Sequence, residues 1–172
     1  MKFPEFDFPI RKSPRADFHD YGEGCYFITI CTAGKRHYFG EIHDGEMIMT
    51  EIGNYAFEQL CSIEKHYKYC RILQSVVMPN HIHAIVYISS HLRDDGSYGY
   101  KDSAPTPLKR SPLSVVVGGF KQLVTKYARR KNLPFGWQPR YHDHIIRGSV
   151  DGDNIARYIE NNVANWGDDC FN

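Results

Sequence analysis

Residues 69–89 read YCRILQSVVMPNHIHAIVYIS, which is two apolar runs separated by the tripeptide MPN at positions 78–80. Runs of this length, rich in β-branched residues, are typical of strands, and a proline followed by an asparagine suits a tight turn. We therefore expect two neighbouring strands, 69–78 and 81–89. Because successive side chains on a strand point to opposite faces, His81, His83 and Ile85 share one face, and the other face is apolar.

The sequence before this pair predicts a strand, a hairpin and a helix. Residues 24–32, GCYFITICT, are rich in aromatic and β-branched residues, as strands are. The dipeptide Asp44-Gly45 is typical of a hairpin turn and lies between the segments 37–42 and 46–50. From residue 51 to about residue 66 the apolar residues recur at helical spacing. They are Ile52, Ala56, Leu60 and Ile63.

The sequence after the pair predicts a long polar loop over 91–110 and then a helix. Loops of that length in compact domains are often functional. Ser111 and Pro112 suit an N-cap and a first helical turn. Gly118 and Gly119 lie inside this helix, where glycine costs stability, and they indicate close helix–sheet packing or a close approach of the backbone to a binding partner. The apolar stripe of the helix is Val116, Phe120, Leu123 and Tyr127.

The order of these elements predicts an α+β fold. A short strand over 142–147 follows the second helix, and Asp151 or Asp153 is the expected N-cap of a last helix. Strand–helix–strand–strand–helix–strand is the ferredoxin-like arrangement, an antiparallel sheet with helices packed on one face. The 172 residues suit a single domain, 1–172, with 1–20 as an N-terminal arm.

Composition excludes several classes of protein. Charged residues make up 24% of the chain and hydrophobic residues 42%, which are ordinary values for a soluble globular domain. The apolar runs are far shorter than the ~18 residues of a membrane span, and residues 1–12 lack the apolar segment of a secretory signal. We therefore expect a cytoplasmic protein with no membrane partner. Five cysteines without a C-x-x-C pair argue against a disulfide framework and a cysteine zinc site.

Positive charge is concentrated in one part of the chain, although the net charge is only +1. Ten of the 21 Lys and Arg residues lie between Lys101 and Arg147, where Asp102 and Asp143 are the acidic residues. A focused positive field favours a polyanionic partner, and the alternative is a solvated helix face. The candidate nucleic-acid-binding residues are Arg11, Lys12, Arg15, Lys121, Lys126, Arg129, Arg130, Arg140 and Arg147.

Aromatic and histidine side chains in the segment 135–144 have two interpretations each. Phe135, Trp137 and Tyr141 either pack under the loop or stack on unpaired bases. His142 and His144 are either surface residues of a short strand or contacts to a phosphate or a base.

His81 and His83 are the strongest candidates for chemistry. Two imidazoles on one face of a strand stand about 6–7 Å apart along it, which is close enough for both to bind one metal ion. Neutral imidazole is a common nitrogen ligand of divalent metals. The alternative is that both histidines are polar side chains of a half-exposed strand.

Tyr158 and Asn162 form a second candidate pair. Residues i and i+4 lie on one face of a helix, so the phenol and the amide oxygen would point the same way. The alternative for Tyr158 is a core or interface aromatic. Tyr127, on the other helix, is not a candidate nucleophile, because its i+4 residue is Lys131 and it continues an apolar stripe.

Several of these segments together resemble a REP-associated tyrosine transposase, a relative of the single-tyrosine insertion-sequence transposases in the HUH endonuclease superfamily. The resemblance covers nearly the whole chain in order, and the ferredoxin-like fold is the family's. The segments are 22–32, 39–42 (FGEI), 76–86 (VVMPNHIHAIV), 119–121 (GFK), 137–147 (WQPRYHDHIIR) and 158–162 (YIENN).

The resemblance implies a DNA transposase, which is an endonuclease and strand transferase of DNA transposition and recombination. It implies that Tyr158 is the catalytic nucleophile and that His81 and His83, as the HUH motif, bind a divalent metal, Mg²⁺ or Mn²⁺. Asn162 stands where insertion-sequence relatives carry a glutamine ligand. Tyr158 and the two imidazoles must then meet around one cation.

The resemblance also implies a substrate and a setting for the reaction. The substrate would be single-stranded DNA with a hairpin or palindromic structure, cleaved and rejoined through a 5′-phosphotyrosine. The enzyme would act as a monomer or homodimer in the cytoplasm, associated with the nucleoid.

Two other functions stay open at this point. One is a catalytically inactive protein of the same fold that binds single-stranded DNA or RNA hairpins. The other is a metal-dependent phosphodiesterase in which water replaces Tyr158 as the nucleophile. Neither forms a covalent adduct with DNA, whereas a tyrosine transferase does.

Overall fold

The computed structural model describes residues 23–89 and 111–168. The predicted arm 1–20, with Arg11, Lys12 and Arg15, and the predicted loop 91–110 lie outside the described residues. No helix in the two described ranges is long and apolar enough to cross a membrane. The strands are β1 (Gly24–Cys31), β2 (Gly40–His43), β3 (Glu46–Met49), β4 (Cys70–Val77), β5 (His81–Ile88) and β6 (His142–Ile145). The helices are α1 (Glu51–Cys61), α2 (Ile63–His66), α3 (Pro112–Arg130) and α4 (Ser149–Asn161).

Four strands form an antiparallel sheet in the order β4-β5-β1-β6. β5 lies inside this sheet, between β4 and β1, and the tight turn between β4 and β5 closes with a hydrogen bond from Met78 N to His81 O of 2.9 Å. β2 and β3 form a separate hairpin. Its turn has positive φ at Asp44 (51°) and Gly45 (78°), as the predicted Asp-Gly turn requires. The α+β fold and the antiparallel sheet are confirmed.

The two faces of the sheet carry different helices. α1 and α3 pack on one face, where Ile82, Ala84 and Val86 of β5 join the main core. α4 packs on the opposite face, where its Ile159 meets Ile85 of β5 in a second cluster. The prediction of helices on one face is therefore right for α1 and α3 and wrong for α4, which follows the last strand of the ferredoxin-like arrangement. The alternating side chains of β5 are apolar on both faces beyond His83, so both faces need a cover.

The buried stripe of α3 is rotated from the predicted one. The helix buries Leu113, Val116, Val117, Phe120, Val124 and Ala128. Leu123 and Tyr127 lie at the edge of the stripe and are only partly buried. The choice among several apolar residues at helical spacing depends on the shape of the sheet beneath, which periodicity alone does not give.

The two predicted helix starts have different outcomes. Ser111 is the N-cap of α3, and its Oγ accepts from Ser114 N at 3.2 Å. α4 begins earlier than expected, with Gly148 at the N-cap position. Asp151 lies in its first turn and accepts at 2.9 Å from the backbone N–H of Arg147, the residue before the N-cap. Neither Asp151 nor Asp153 is the N-cap itself.

Candidate active site

His81 and His83 lie side by side on the face of β5 that α4 covers. Their ring centroids are 4.4 Å apart, closer than the spacing along the strand because the rings lean together. Their exposed fractions are 0% and 1%. The interpretation of these histidines as polar side chains on a half-exposed strand is therefore wrong. Two buried imidazoles in contact need polar partners for their ring nitrogens.

Each histidine has a hydrogen-bond partner at Nδ1. His83 Nδ1 lies 2.9 Å from Thr29 Oγ1, on the neighbouring strand β1. His81 Nδ1 lies 2.8 Å from Asn80 Oδ1, in the turn that precedes β5. Burial lowers the pKa of His81 to about 3, and the positive charge of Lys35 contributes to this shift. His81 is therefore a neutral imidazole near pH 7, which is the form that binds a metal.

Tyr158 of α4 reaches the second histidine. Its Oη lies 3.2 Å from His83 Nε2. Phe27 stacks on the His83 ring with centroids 5.1 Å apart and meets the Tyr158 ring edge-on at 6.1 Å. Tyr158 is nevertheless 44% exposed, so it is not a core aromatic. The phenol is held in place on one side and open to solvent on the other, as a nucleophile for a large substrate must be.

Asn162 and Trp166 follow Tyr158 in sequence, where the chain passes the histidine pair. Trp166 stacks on His81 with ring centroids 6.1 Å apart, just as Tyr158 contacts His83. Asn162 lies between these two residues in sequence and is 3% exposed. Its Oδ1 is buried and accepts no hydrogen bond from the described residues. A buried amide oxygen without a donor is costly, and a cation would satisfy it.

The donor set at this site fits a divalent metal ion. In the described ranges, no three His, Cys, Asp or Glu side chains come together in a way that could hold a metal. The candidate set is instead two imidazoles, His81 and His83, and the amide oxygen of Asn162. Imidazole nitrogen suits Mn²⁺ and later transition metals better than Mg²⁺, which prefers oxygen.

A groove of about 280 Å³ lies between the end of β1 and the segment 138–142. Thr29, the partner of His83, lines it, together with Arg140 from the loop before β6. The other lining residues are Cys31, Gln138, Pro139, Tyr141 and His142. Thr29 therefore belongs both to the groove and to the hydrogen bond with His83, and Arg140 gives the groove a cationic side chain.

Lys121 holds the wall of this groove in place. Its Nζ donates to the backbone carbonyls of Gln138 at 2.8 Å and Arg140 at 3.0 Å. Trp137 Nε1 in turn donates to Lys121 O at 3.1 Å. The ammonium of Lys121 therefore shapes the loop from α3, and burial lowers its pKa.

The other basic candidates divide between the two sides of the sheet. Arg140 lines the groove, and Arg147 lies at the junction of β6 and α4, where its backbone binds Asp151. Lys126, Arg129 and Arg130 are exposed on α3, which covers the opposite face from the histidines. Arg130 lies over the Tyr127 ring, 5.4 Å from its centroid.

Tyr127 has a structural role, as expected. Its Oη donates to Glu51 Oε1 at 2.6 Å, and this carboxylate raises the pKa of the phenol. Its ring stacks on Tyr55 at 3.8 Å, tying α3 to α1. A nucleophile needs a lowered pKa, so this environment is unsuited to catalysis.

The aromatic side chains near the groove pack rather than project. Phe135, Trp137 and Tyr141 lie against the main core, which confirms their packing interpretation. His142 and His144 are exposed on β6. His144 Nε2 lies 2.9 Å from Asp151 Oδ2, so this histidine links β6 to the first turn of α4.

Several residues at the site carry no signal in the sequence. Phe27 and Thr29 belong to an ordinary strand pattern, and only their alternation with buried Ile28 and Ile30 puts them on the site face. The contact of Trp166 with His81 and the electrostatic effect of Lys35 on His81 depend on tertiary structure alone. Asn80 is different, because its place directly before His81 in a tight turn could have been noticed.

Comparisons with known proteins agree with this architecture. The chain is 34% identical over 165 residues to an uncharacterized protein of Haemophilus influenzae, covering 92% of this chain and 91% of the relative. A solved REP-associated tyrosine transposase bound to a REP hairpin is similar with a TM-score of 0.59 at 18% identity, over 92% of this chain and 75% of that one. A putative transposase from Deinococcus radiodurans has a TM-score of 0.45 at 16% identity, over 81% and 90% of the two chains. No family model matches the chain.

These comparisons have separate consequences. The relative is similar over almost its full length, which shows common descent. The structural neighbour, at low identity, confirms the fold that the sequence resemblance implies. The chain therefore belongs to the same protein family as the Haemophilus influenzae relative, and it has the fold of a REP-associated tyrosine transposase.

Proposed function

We propose that the protein is a metal-dependent, single-tyrosine DNA transposase that cleaves and rejoins single-stranded, hairpin-forming DNA. The observation that carries this proposal is the distance of 3.2 Å between Tyr158 Oη and His83 Nε2. This contact joins α4 to β5, which lies far from α4 in sequence. Nucleophilic attack needs a nucleophile and groups that activate it, and a solvent-accessible phenol beside a buried histidine pair offers candidates for both.

In the proposed reaction, Tyr158 Oη attacks the scissile phosphorus. The bond from phosphorus to the 3′ oxygen breaks, and the products are a 5′-phosphotyrosine and a free 3′-hydroxyl. The phenol loses its proton and the leaving oxygen gains one. Because the phosphotyrosine keeps the bond energy, a 3′-hydroxyl can reverse the step and rejoin strands without ATP. Ionising a tyrosine of pKa ~10 at pH 7 costs roughly 4 kcal/mol, so the site must favour the phenolate.

Residues around Tyr158 orient the phenol for this attack. Tyr158 Oη lies 3.2 Å from His83 Nε2, and Phe27 contacts both rings. His81, His83 and Asn162 would hold a divalent ion, Mg²⁺ or Mn²⁺. Such an ion, when bound, supplies Lewis-acid polarisation of the scissile phosphate and aligns it.

The basic residues would bind the DNA backbone on two sides of the protein. Arg140 in the groove and Arg147 beside α4 would contact the strand near the cleavage point. Lys126, Arg129 and Arg130 on α3 would contact a more distant part of the hairpin, together with Arg11, Lys12 and Arg15. The structural neighbour was solved with a REP hairpin, which supports a hairpin as the partner of this chain.

Replacing Tyr158 by phenylalanine tests the proposal. Oligonucleotides labelled at either end are incubated with the protein and Mn²⁺, and the mixture is denatured and separated on a gel. The wild-type protein is expected to retain the label on the 3′ side of the break, because the 5′ phosphate of that fragment is attached to the protein. Y158F is expected to form no adduct and still to bind the hairpin. Y127F is the matched control and is expected to form the adduct.

Other outcomes would identify the alternatives. Hairpin binding with no adduct and no cleavage by the wild-type protein would indicate a binding protein without turnover. Cleavage that Y158F retains would indicate a hydrolase that uses water. Full activity in excess chelator would contradict the role of the metal.

A further inference from the structure

Asn80 occupies a fixed, buried position in the turn before β5. It is 2% exposed. Its backbone oxygen accepts from both Thr32 N at 2.8 Å and Thr32 Oγ1 at 2.9 Å. The turn therefore cannot rotate freely, and the side chain of Asn80 is held against the ring of His81.

The two ends of the Asn80 amide have different partners. Nδ2 lies 3.3 Å from Lys35 O, and Oδ1 lies 2.8 Å from His81 Nδ1. A backbone carbonyl can only accept, so the amide nitrogen must face Lys35 and the amide oxygen must face His81. An amide oxygen can also only accept, so His81 Nδ1 must carry the proton. In a neutral imidazole, Nε2 then carries a lone pair.

We propose that Asn80 is a positioning residue that fixes the tautomer of His81, leaving Nε2 as the atom that binds the metal. The metal-binding part of this inference rests on the proposed function. Ligand histidines commonly donate their other ring N–H to an oxygen acceptor, which sets both the tautomer and the ring orientation. The hydrogen bonds that link Lys35 O, the Asn80 amide and His81 set the tautomer and the ring orientation of His81 without a bound metal.

His83 is held differently from His81, because its partner at Nδ1 is a hydroxyl group. Thr29 Oγ1 can donate or accept, so the hydrogen bond at His83 Nδ1 allows both tautomers. His83 Nε2 can therefore be the acceptor from Tyr158 or the donor to it. The partners of His81 therefore fix its tautomer, whereas the partners of His83 leave both tautomers open.

The tautomer can be measured in the metal-free protein without DNA. Long-range ¹H–¹⁵N spectra distinguish a protonated Nδ1 from a protonated Nε2 in a neutral histidine. At pH 7.5 the wild-type protein is expected to have His81 as the Nδ1–H tautomer. N80D keeps an oxygen acceptor and is expected to keep this tautomer, whereas N80A is expected to give a mixture or the Nε2–H form. N54A removes an amide that donates to Thr50 O on α1 and should change nothing.

Metal affinity provides a second readout. Loss of such an outer partner commonly weakens metal binding by about 10–100-fold, so N80A is expected to bind Mn²⁺ that much more weakly in a calorimetric titration, and N54A equally well as the wild type. An Nε2–H tautomer of His81 in the wild-type protein would overturn the inference. So would a folded N80A with unchanged tautomer and affinity.

The inference and the proposed function fail in different experiments. If the wild-type protein forms no covalent adduct but Asn80 controls the His81 tautomer, the transposase proposal fails and the role of Asn80 stands. If the adduct forms and the tautomer is independent of Asn80, only the inference fails. Should N80A not fold, the wild-type spectrum and N80D decide.

Discussion

Trp166 lies beside the histidine pair and can serve as a spectroscopic probe of it. Its ring stacks on His81, and on its other side it meets His37 with centroids 5.8 Å apart. The chain has two tryptophans, and the other, Trp137, packs with Phe39 and Phe120 in the core of the opposite face. Trp166 therefore lies on the same side of the sheet as the proposed metal site, and Trp137 lies on the opposite side.

This arrangement predicts a selective effect of Mn²⁺ on the two tryptophans. Relaxation by a paramagnetic ion falls steeply with distance, so Mn²⁺ bound by His81 and His83 should broaden the Trp166 indole N–H signal before that of Trp137. A two-dimensional ¹H–¹⁵N titration measures this, with W137F to assign the signals. Mg²⁺ should compete without broadening. Equal broadening of both signals, or selective broadening that persists in H83A, would contradict the proposed site.

α4 joins the sheet to Tyr158, the proposed nucleophile. Ile159 is buried against Ile85, and the adjacent Tyr158 therefore stands at the rim of the packed surface, where it reaches His83 and solvent. Asp151 ties the first turn of this helix to His144 and Arg147 at β6. The position of the phenol thus depends on contacts at both ends of one helix.

Gly118 and Gly119 are neighbours in α3 and give a matched pair of variants. A Cβ added at Gly118 meets nothing within 4 Å, whereas one added at Gly119 would overlap the hydroxyl of Tyr67. Gly118→Ala should raise the free energy of unfolding by about 0.5–1 kcal/mol, because alanine favours a helix. Gly119→Ala should gain nothing or lose stability, because Tyr67 must move. Urea denaturation of both variants measures this, and an equal gain in both would show that Tyr67 does not constrain Gly119.

The sheet separates the larger core from the candidate site. The larger core lies between the sheet and helices α1 and α3, and the histidine pair and Tyr158 lie on the side of α4. Basic side chains are present on both sides. A bound hairpin would then have to extend around the edge of the sheet to meet them all.

Salt dependence measures how many of these cations contact DNA. If five of the proposed cations, among them Lys126, Arg129 and Arg130, each neutralise one phosphate of a single strand, affinity should fall about 100-fold between 50 and 200 mM salt. The triple variant K126Q/R129Q/R130Q should retain two contacts, and its affinity should fall only about 7-fold over the same range. Fluorescence anisotropy with a labelled hairpin measures both slopes. An unchanged slope in the triple variant would mean that α3 makes no phosphate contact.

Much of the fold could be predicted from local patterns. Strand composition, the Asp44-Gly45 turn and the Ser111 N-cap depend on nearest neighbours, and the structure agrees with each. The shared face of His81 and His83 follows from the two-residue period of a strand. The side of the sheet that α4 covers could not be predicted, because it depends on how apolar surface on both faces is buried.

The periods of strands and helices, which backbone geometry imposes, are enough to say which residue types share a face of each element. The packing of the whole molecule is needed to bring Tyr158 to His83 and Asn80 to His81, and to put the cations of α3 behind the sheet. These contacts join residues from separate elements, and their geometry depends on how the helices pack on the sheet. No local period contains that information, since it arises from burying both faces of the sheet at once.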